Sequence, residues 1–360
     1  MKSPVKRYGF INAKLRARIS QILPDDLRET LIQASSLEEV FQILEDTDFS
    51  ELSRVYDRTG DLQAVEAELF HSQIEQYTGI IKHTEDEIAG FVRALTVKLE
   101  IENLKNLLRL WFGSRVKKRP MGHRAGYIYK EKILHSVSWD VLINALTFTE
   151  VLEGLEGTPY RAVLEPFRLT QVEEEGIFRI ETSLDRFYYR FLIEQAGELP
   201  PRDRDLVLKI LETEVDLQNL SWILRYSRFY RLTAEDLAAT LLPGGHQFSL
   251  QELRTFTARE GGGQEADPAG LLAHRYPALG ALGEAGSSRG NQAARAVLFE
   301  KLLEVTRLQE FMKLITGYPF TIGIVLVYFF LKDREIRFLV GVMNGKNYHW
   351  PEDRIRESVI

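Results

Sequence analysis

One stretch of this chain is written twice. Residues 99–110 read LEIENLKNLLRL and residues 215–226 read VDLQNLSWILRY, in register and without a gap. Glu100 matches Asp216, Asn103 matches Asn219, Leu104 matches Leu220, Leu108 matches Leu224 and Arg109 matches Arg225. A degraded third copy starts at Arg334 as REIRFLVGVMN, with Glu335 at the acid position, Phe338 at the asparagine, Leu339 at the leucine and Asn344 at the arginine. The acids recur roughly every 115–120 residues, too long a period for a solenoid unit, so a domain-sized module used three times is expected.

On a helix at about 100° per residue, Leu104, Leu107, Leu108 and Trp111 fall within about 80° of Glu100, and Glu102, Lys105 and Arg109 fall on the far side. The acid therefore lies in the apolar stripe with Asn103 beside it, and Asp216 and Asn219 repeat the placement. A buried carboxylate is costly unless it is paired or hydrogen-bonded. It serves either proton or metal chemistry in a core, or it accepts N–H bonds at a neighbouring helix start or meets an Arg. The recurrence favours the second, because chemistry seldom needs the same acid three times in one chain. Glu100, Asn103, Asp216, Asn219 and Glu335 are accordingly expected to be buried structural polar groups.

A second landmark marks each module. Ser36 with Glu39, Thr147 with Glu150 and Ser249 with Glu252 have capping-box spacing, in which the hydroxyl serves the first free N–H groups and the acid reaches back. Glu39 leads to Leu44, Thr47 and Phe49, and Glu150 leads to Leu155, Thr158 and Tyr160 at the same offsets. DDLRETLI at 25–32 also matches EDLAATLL at 235–242, and Thr84 with Glu87 has the spacing of a further capping box. Helical periodicity dominates, with long helices expected over 62–82, 86–110, 181–193 and 204–226, so the fold class is all-α. The modules are 1–122, 123–230 and 231–360. The third is longer by about 20 residues, and the excess falls in a Gly-rich insertion at 261–290, a composition too poor in apolar groups to order itself well.

The 360 residues suffice for two or three domains, and 44% apolar with 27% charged residues is ordinary for a globular protein. A net charge of −6 gives no global attraction to nucleic acid. The absence of cysteine excludes disulfides, thiolate metal sites and a Cys nucleophile. The N-terminal stretch carries positive charge but no continuous apolar run, which argues against a secretory signal. The longest apolar run, IGIVLVYFFL at 322–331, is about half of what a membrane span requires and reads as a core helix or strand.

Chemistry-bearing patterns are weak. Asp25, Asp26 and Glu29 are spaced like an aspartate-rich magnesium motif, but no facing acid cluster accompanies them, and acids at a helix start complement its dipole. GVMNGKN at 341–347 lacks the spacing and the Ser/Thr of a phosphate loop and reads as a turn closing the last helix. No HxH or HExxH occurs, and there is no GxSxG elbow between a strand and a helix. Arg115, Lys117, Lys118 and Arg119 form a basic run directly after the first organising helix and are the candidate partner contact, toward acidic loops or lipid headgroups.

With the repeats in place, the chain resembles the C (AC39-family) subunits of the V/A-type rotary ATPases, equivalent to the d subunits of the eukaryotic enzymes. The resemblance runs from YGFINAKLRARI at Tyr8 through the three organising helices to YPFTIGIVLVYFFLKDREIRFLVGVMNGK and the final WPEDRIR. The Gly-rich segment and Phe338 depart from the family pattern. The resemblance implies a funnel of three similar helical modules around a pseudo-threefold axis. It implies a non-catalytic central-stalk component without cofactor, metal or bound nucleotide, which links the central shaft to the membrane proteolipid ring and passes torque for ion transport. Its implied place is peripheral, on the cytoplasmic side, as a single copy within a hetero-oligomeric complex. The alternative reading is a helical scaffold or adaptor protein unrelated to the rotary motor.

Overall fold

The chain is all-α, with no strand among the described residues. The structure, a computed structural model, describes residues 3–229, 234–260, 275 and 292–359. They divide into two compact units, one made of residues 1–199 with Tyr328–Val359, the other of Pro200–Val327. The Gly-rich segment expected at 261–290 lies outside the described residues apart from Arg275.

In the first unit, α1 (Pro4–Ile19) opens with Ser3 Oγ accepting from Lys6 N and proline at the first position, where a missing N–H costs nothing. Three short helices follow, α2 (Asp25–Gln33), α3 (Leu37–Leu44) and α4 (Ser50–Thr59). Then come the long α5 (Leu62–Ile81) and α6 (Asp86–Arg115). After a 3₁₀ turn at Gly122–Tyr127, the short α7 (Trp139–Asn144), α8 (Phe148–Gly154), α9 (Pro159–Leu164) and α10 (Leu169–Glu175) lead into α11 (Phe178–Gly197). The second unit holds α12 (Pro201–Phe229), α13 (Ala234–Thr240), α14 (Leu250–Glu260), α15 (Gln292–Thr316) and the start of α16 (Gly323–Asn347). The rest of α16 and α17 (Glu352–Ser358) belong to the first unit.

The three repeated capping boxes start α3, α8 and α14. Ser36, Thr147 and Ser249 accept from the N–H of Glu39, Glu150 and Glu252, while those acids reach back to the N–H groups of Ser35, Leu146 and Ser249. The box expected at Thr84 does not form. Thr84 Oγ1 donates to Ile81 O, so it closes the end of α5, and α6 starts after Glu85. The apolar run at 322–331 is helical and forms the buried start of α16, where Tyr77 stacks on Phe329 at 3.8 Å and donates to its carbonyl at 2.8 Å. No helix among the described residues is long and apolar enough to cross a membrane.

Each organising helix buries its apolar face against short helices of the segment that follows it, and the last helix returns to the first segment. Val97 to Trp111 of α6 pack with Trp139, Leu142, Val151, Tyr160 and Leu184. Leu217, Leu220 and Ile223 of α12 pack with Leu241, Phe248, Leu253 and Phe299. Phe338, Leu339, Val342 and Met343 of α16 pack with Leu31, Val40, Phe41, Leu52 and Val65. The outer face of α6 is partly covered, although Asn106 and Arg109 stay exposed. Lys105 is buried between Glu102 and Asp185 of α11, and Arg109 Nε reaches Glu181 at 2.6 Å. That charged face is a second packing face, on which long side chains pair as they lose water.

Candidate functional site

Glu100 has no solvent exposure. Its Oε2 accepts from the backbone N–H of Leu134 at 2.8 Å and of His135 at 2.9 Å, and its Oε1 accepts from the Tyr160 hydroxyl at 2.6 Å and lies 2.7 Å from His135 Nδ1. Burial would raise this carboxyl, but the bonds from His135, Tyr160 and the two backbone N–H groups outweigh it and hold the acid below its ordinary range. Burial and the adjacent carboxylate push the Tyr160 hydroxyl far above the usual phenol range, so it remains a donor. One helical turn on, Asn103 donates to Tyr129 O at 2.7 Å and accepts from Tyr129 N at 3.1 Å. Together the pair clamps the turn that precedes α7.

Asp216, also without exposure, repeats this arrangement with fewer donors. Its Oδ2 accepts from His246 N at 3.0 Å and Gln247 N at 2.6 Å, and its Oδ1 accepts from Phe248 N at 3.4 Å. Asn219 donates to Leu242 O at 2.9 Å and accepts from Leu242 N at 2.7 Å. The donors here are backbone groups only, burial prevails, and the carboxyl is pushed up to about 6. The turn can approach this closely because residue 245 is glycine, where a Cβ would stand 2.0 Å from Asp216 Oδ1. The match of 25–32 with 235–242 does not carry over to this contact. Leu23, bound by the third acid, precedes α2, whereas the turn bound by Asp216 follows α13.

The third copy keeps the acid and changes its partners. Glu335, with no exposure, accepts from Leu23 N at 2.8 Å and from Lys332 Nζ at 2.8 Å. Phe49 occupies the offset at which the second module has Tyr160 and brings no hydroxyl. Its ring instead carries the Lys332 ammonium, 4.5 Å from the centroid, and that ammonium donates to the acid. In the first copy the residue three before the acid is Val97, which donates nothing, and the Tyr hydroxyl does. Phe338 stands where the other copies have asparagine, and the Arg28 guanidinium lies 5.0 Å above its ring while Arg28 Nε donates to Leu23 O at 3.0 Å. The same turn is thus held on both its N–H and its C=O by different chemistry.

His135, Tyr160, Lys332, Phe49, Arg28 and Gly245 are the partners that the repeat itself does not announce. Tyr160 and Phe49 alone carry a signal, their equal offset from the capping boxes. Among the described residues no group of three or more His, Asp and Glu side chains is placed to hold a metal ion. At the magnesium-like spacing of α2, Glu29 is engaged by Arg356 and Gln33. The stretch 341–347 is not a turn but the last helical turns of α16. Its glycines admit α17, since a Cβ at Gly341 or Gly345 would lie 2.7 Å from Val359 Cγ1 or 2.6 Å from Ile355 Cγ1, and Lys346 Nζ is bound to Ile32 O at 2.6 Å.

The basic run divides. Arg115 Nε donates to Ala145 O at 3.1 Å, an acceptor shared with Trp111 Nε1, so this residue ties α6 to the loop before α8. Lys118 adopts a left-handed backbone (φ 57°) and donates to Arg115 O at 2.8 Å, which closes the helix end. Lys117, which lies over the Phe112 ring, is exposed, as are Lys118 and Arg119.

Residues 11–358 match the family model described as ATP synthase (C/AC39) subunit. The chain is similar to the A-type ATP synthase C subunit of Methanocaldococcus jannaschii, 26% identical over 356 residues that cover 98% of this chain and 86% of the relative. The protein of the same description from Pyrococcus horikoshii is 24% identical over 98% of this chain and 90% of its own length. That of Methanobrevibacter smithii is 24% identical over 97% and 87%.

Proposed function

The chain belongs to the ATP synthase (C/AC39) subunit family, and from that premise we propose that it is a non-catalytic central-stalk component of a V/A-type rotary ATPase or ATP synthase. In this reading it is a socket between the central shaft and the membrane proteolipid ring, it transmits torque, and it sits peripherally on the cytoplasmic side. The three modules at 1–122, 123–230 and 231–360 are proposed to surround a pseudo-threefold axis. The observation that carries the reading is the serial hand-over of the organising helices. Glu100 holds the turn at 134–135, Asp216 the turn at 246–248, and Glu335 the turn at Leu23. Each joint fixes backbone to a helix by short bonds in a packed core, the construction a torque-bearing body needs, since close-packed interiors transmit strain. Polar groups at these joints are consumed by structure, which fits a part whose role is to grip.

Lys117, Lys118 and Arg119 are the proposed charged contact with one of the two partners. The reading as a whole is tested by purifying the membrane-bound assembly through a tag on this chain. Recovery of a proteolipid and a long coiled-coil protein in fixed ratio is the expected result. Recovery of the chain with neither would replace the rotor reading with the scaffold one.

A further inference from the structure

The first unit contains a polar cavity of about 260 Å³ beside the third acid joint, lined by Arg18, Gln21, Ile22, Asp48, Gln76, Tyr328 and Lys332. Arg18, Gln21 and Ile22 come just before the Leu23 whose N–H is held by Glu335, and Lys332 donates to that same carboxylate. Two cations line it. The Lys332 side chain is buried, and Arg18 Nη1 is buried with no hydrogen-bond partner. The guanidinium also interacts with the Tyr328 hydroxyl and stands 5.9 Å from that ring, and the hydroxyl donates to Gln76 Oε1 at 2.8 Å, so Nη1 is the N–H left over. A buried guanidinium N–H without an acceptor is costly, and the cost is removed by an acceptor that enters the cavity. Asp48 and Gln21 are exposed and mark the mouth, so the Asp48 carboxylate is screened by water, while the second carboxylate near the cavity, Glu335, is buried and already bonded to Lys332 and Leu23 N.

We propose that this cavity binds a tetrahedral oxyanion, either free phosphate or a terminal phosphoryl group, between Arg18 Nη1 and the Lys332 ammonium. Charge-assisted N–H donors, one of them from a planar guanidinium, suit such a group. Gln21 and Gln76 add neutral polar side chains to a lining that also holds Ile22, Tyr328 and, at the mouth, Asp48. The site is separate from the proposed shaft and ring contacts and goes beyond them. Its occupant is linked to the joint through Lys332 and Glu335, so binding also raises the thermal stability of the chain.

The test titrates the full chain calorimetrically with sodium phosphate and, separately, with ADP, at ionic strength held constant with chloride. Saturable phosphate binding with a rising melting temperature is expected for the wild type. Arg18→Gln should weaken it about tenfold or more, the loss of a bond to a charged group. Gln21→Glu, which adds a charge at the exposed mouth, should weaken it too and guards against a folding defect in the first variant. Asp48→Asn should tighten it. Equal affinity for ADP would identify the phosphoryl group as the ligand in either source, and affinity for phosphate alone would identify the free ion. No saturable phosphate binding up to about 10 mM, binding unchanged by both weakening variants, or ADP binding without phosphate binding would overturn the proposal.

Discussion

Lys332→Val, made alone and together with Phe49→Tyr, probes how the third joint replaces the donor that Tyr160 supplies at the first. Glu335 has no exposure and Lys332 is 6% exposed, so the variant leaves a buried carboxylate with Leu23 N–H as its remaining named donor. Breaking one side of such a pair costs about 3–5 kcal/mol. In a cooperative unit of about 150–250 residues each kcal/mol lowers the melting temperature by about 2–4 °C, so a fall of about 6–20 °C is expected. Phe49→Tyr then places a hydroxyl where Tyr160 has one, and a valine at position 332 copies Val97. A hydrogen bond to a charged group is worth about 1.5–3 kcal/mol, so the double variant should regain about half of the loss. Thermal unfolding followed by far-UV circular dichroism on the wild type, both single variants and the double variant forms a closed cycle that isolates the coupling. A Lys332→Val protein that melts within about 1 °C of wild type, or a double variant no more stable than Lys332→Val, would refute this exchange of donors.

The other two joints and the surface behave differently. Glu100 is held below its ordinary range, so its contribution is complete above the unfolded value and disappears as pH falls through the folded one. The urea midpoint lost in Glu100→Ala should therefore shrink between about pH 7 and about pH 3.5. Asp216 is raised to about 6, so its contribution is complete below the unfolded value near 4 and declines as pH rises through 6. Asp216→Ala should cost more at about pH 4.5 than at about pH 7.5, opposite in sense to Glu100→Ala. Gly245→Ala drives a methyl into the Asp216 carboxylate and should cost about 1–3 kcal/mol in chemical denaturation, a penalty that an Asp216→Ala background relieves. Reversing Lys117, Lys118 and Arg119 to Glu should weaken binding to the isolated ring or the isolated shaft at low salt, with melting unchanged. Unaltered affinity for both would move the charged contact elsewhere.

What the sequence makes legible follows from where the information sits. The acids can be found because a helix has a period, and a carboxylate in the apolar stripe is anomalous on any projection. Their backbone donors cannot, because Leu134, His135, Gln247 and Leu23 lie in turns, which have no period and offer main-chain N–H groups that no residue type announces. The capping boxes at Ser36, Thr147 and Ser249 form because each hydroxyl faces the start of its helix and accepts there, whereas the Thr84 hydroxyl turns back to the preceding helix end, donating to Ile81 O, and α6 starts after Glu85. Gly341 and Gly345 read as turn residues, but glycine also marks the place where another helix must come close, and one sequence does not separate the two uses. The largest omission is directional. A repeat tells which helices are alike, but not that each one completes the core of its successor.

That last arrangement bears on how the protein is made. The apolar groups between Leu31 and Val65 are covered by Phe338, Leu339, Val342 and Met343, which follow them in the chain, so this segment has no finished interior until α16 has left the ribosome. At about 5–20 residues per second the delay is roughly 15–60 s, a long interval for a nascent chain to present bare leucine and phenylalanine side chains. The early helices must wait in a chaperone's hold or in loose association with one another. A stop codon shortly before residue 338 would consequently damage the beginning of the protein as severely as its end.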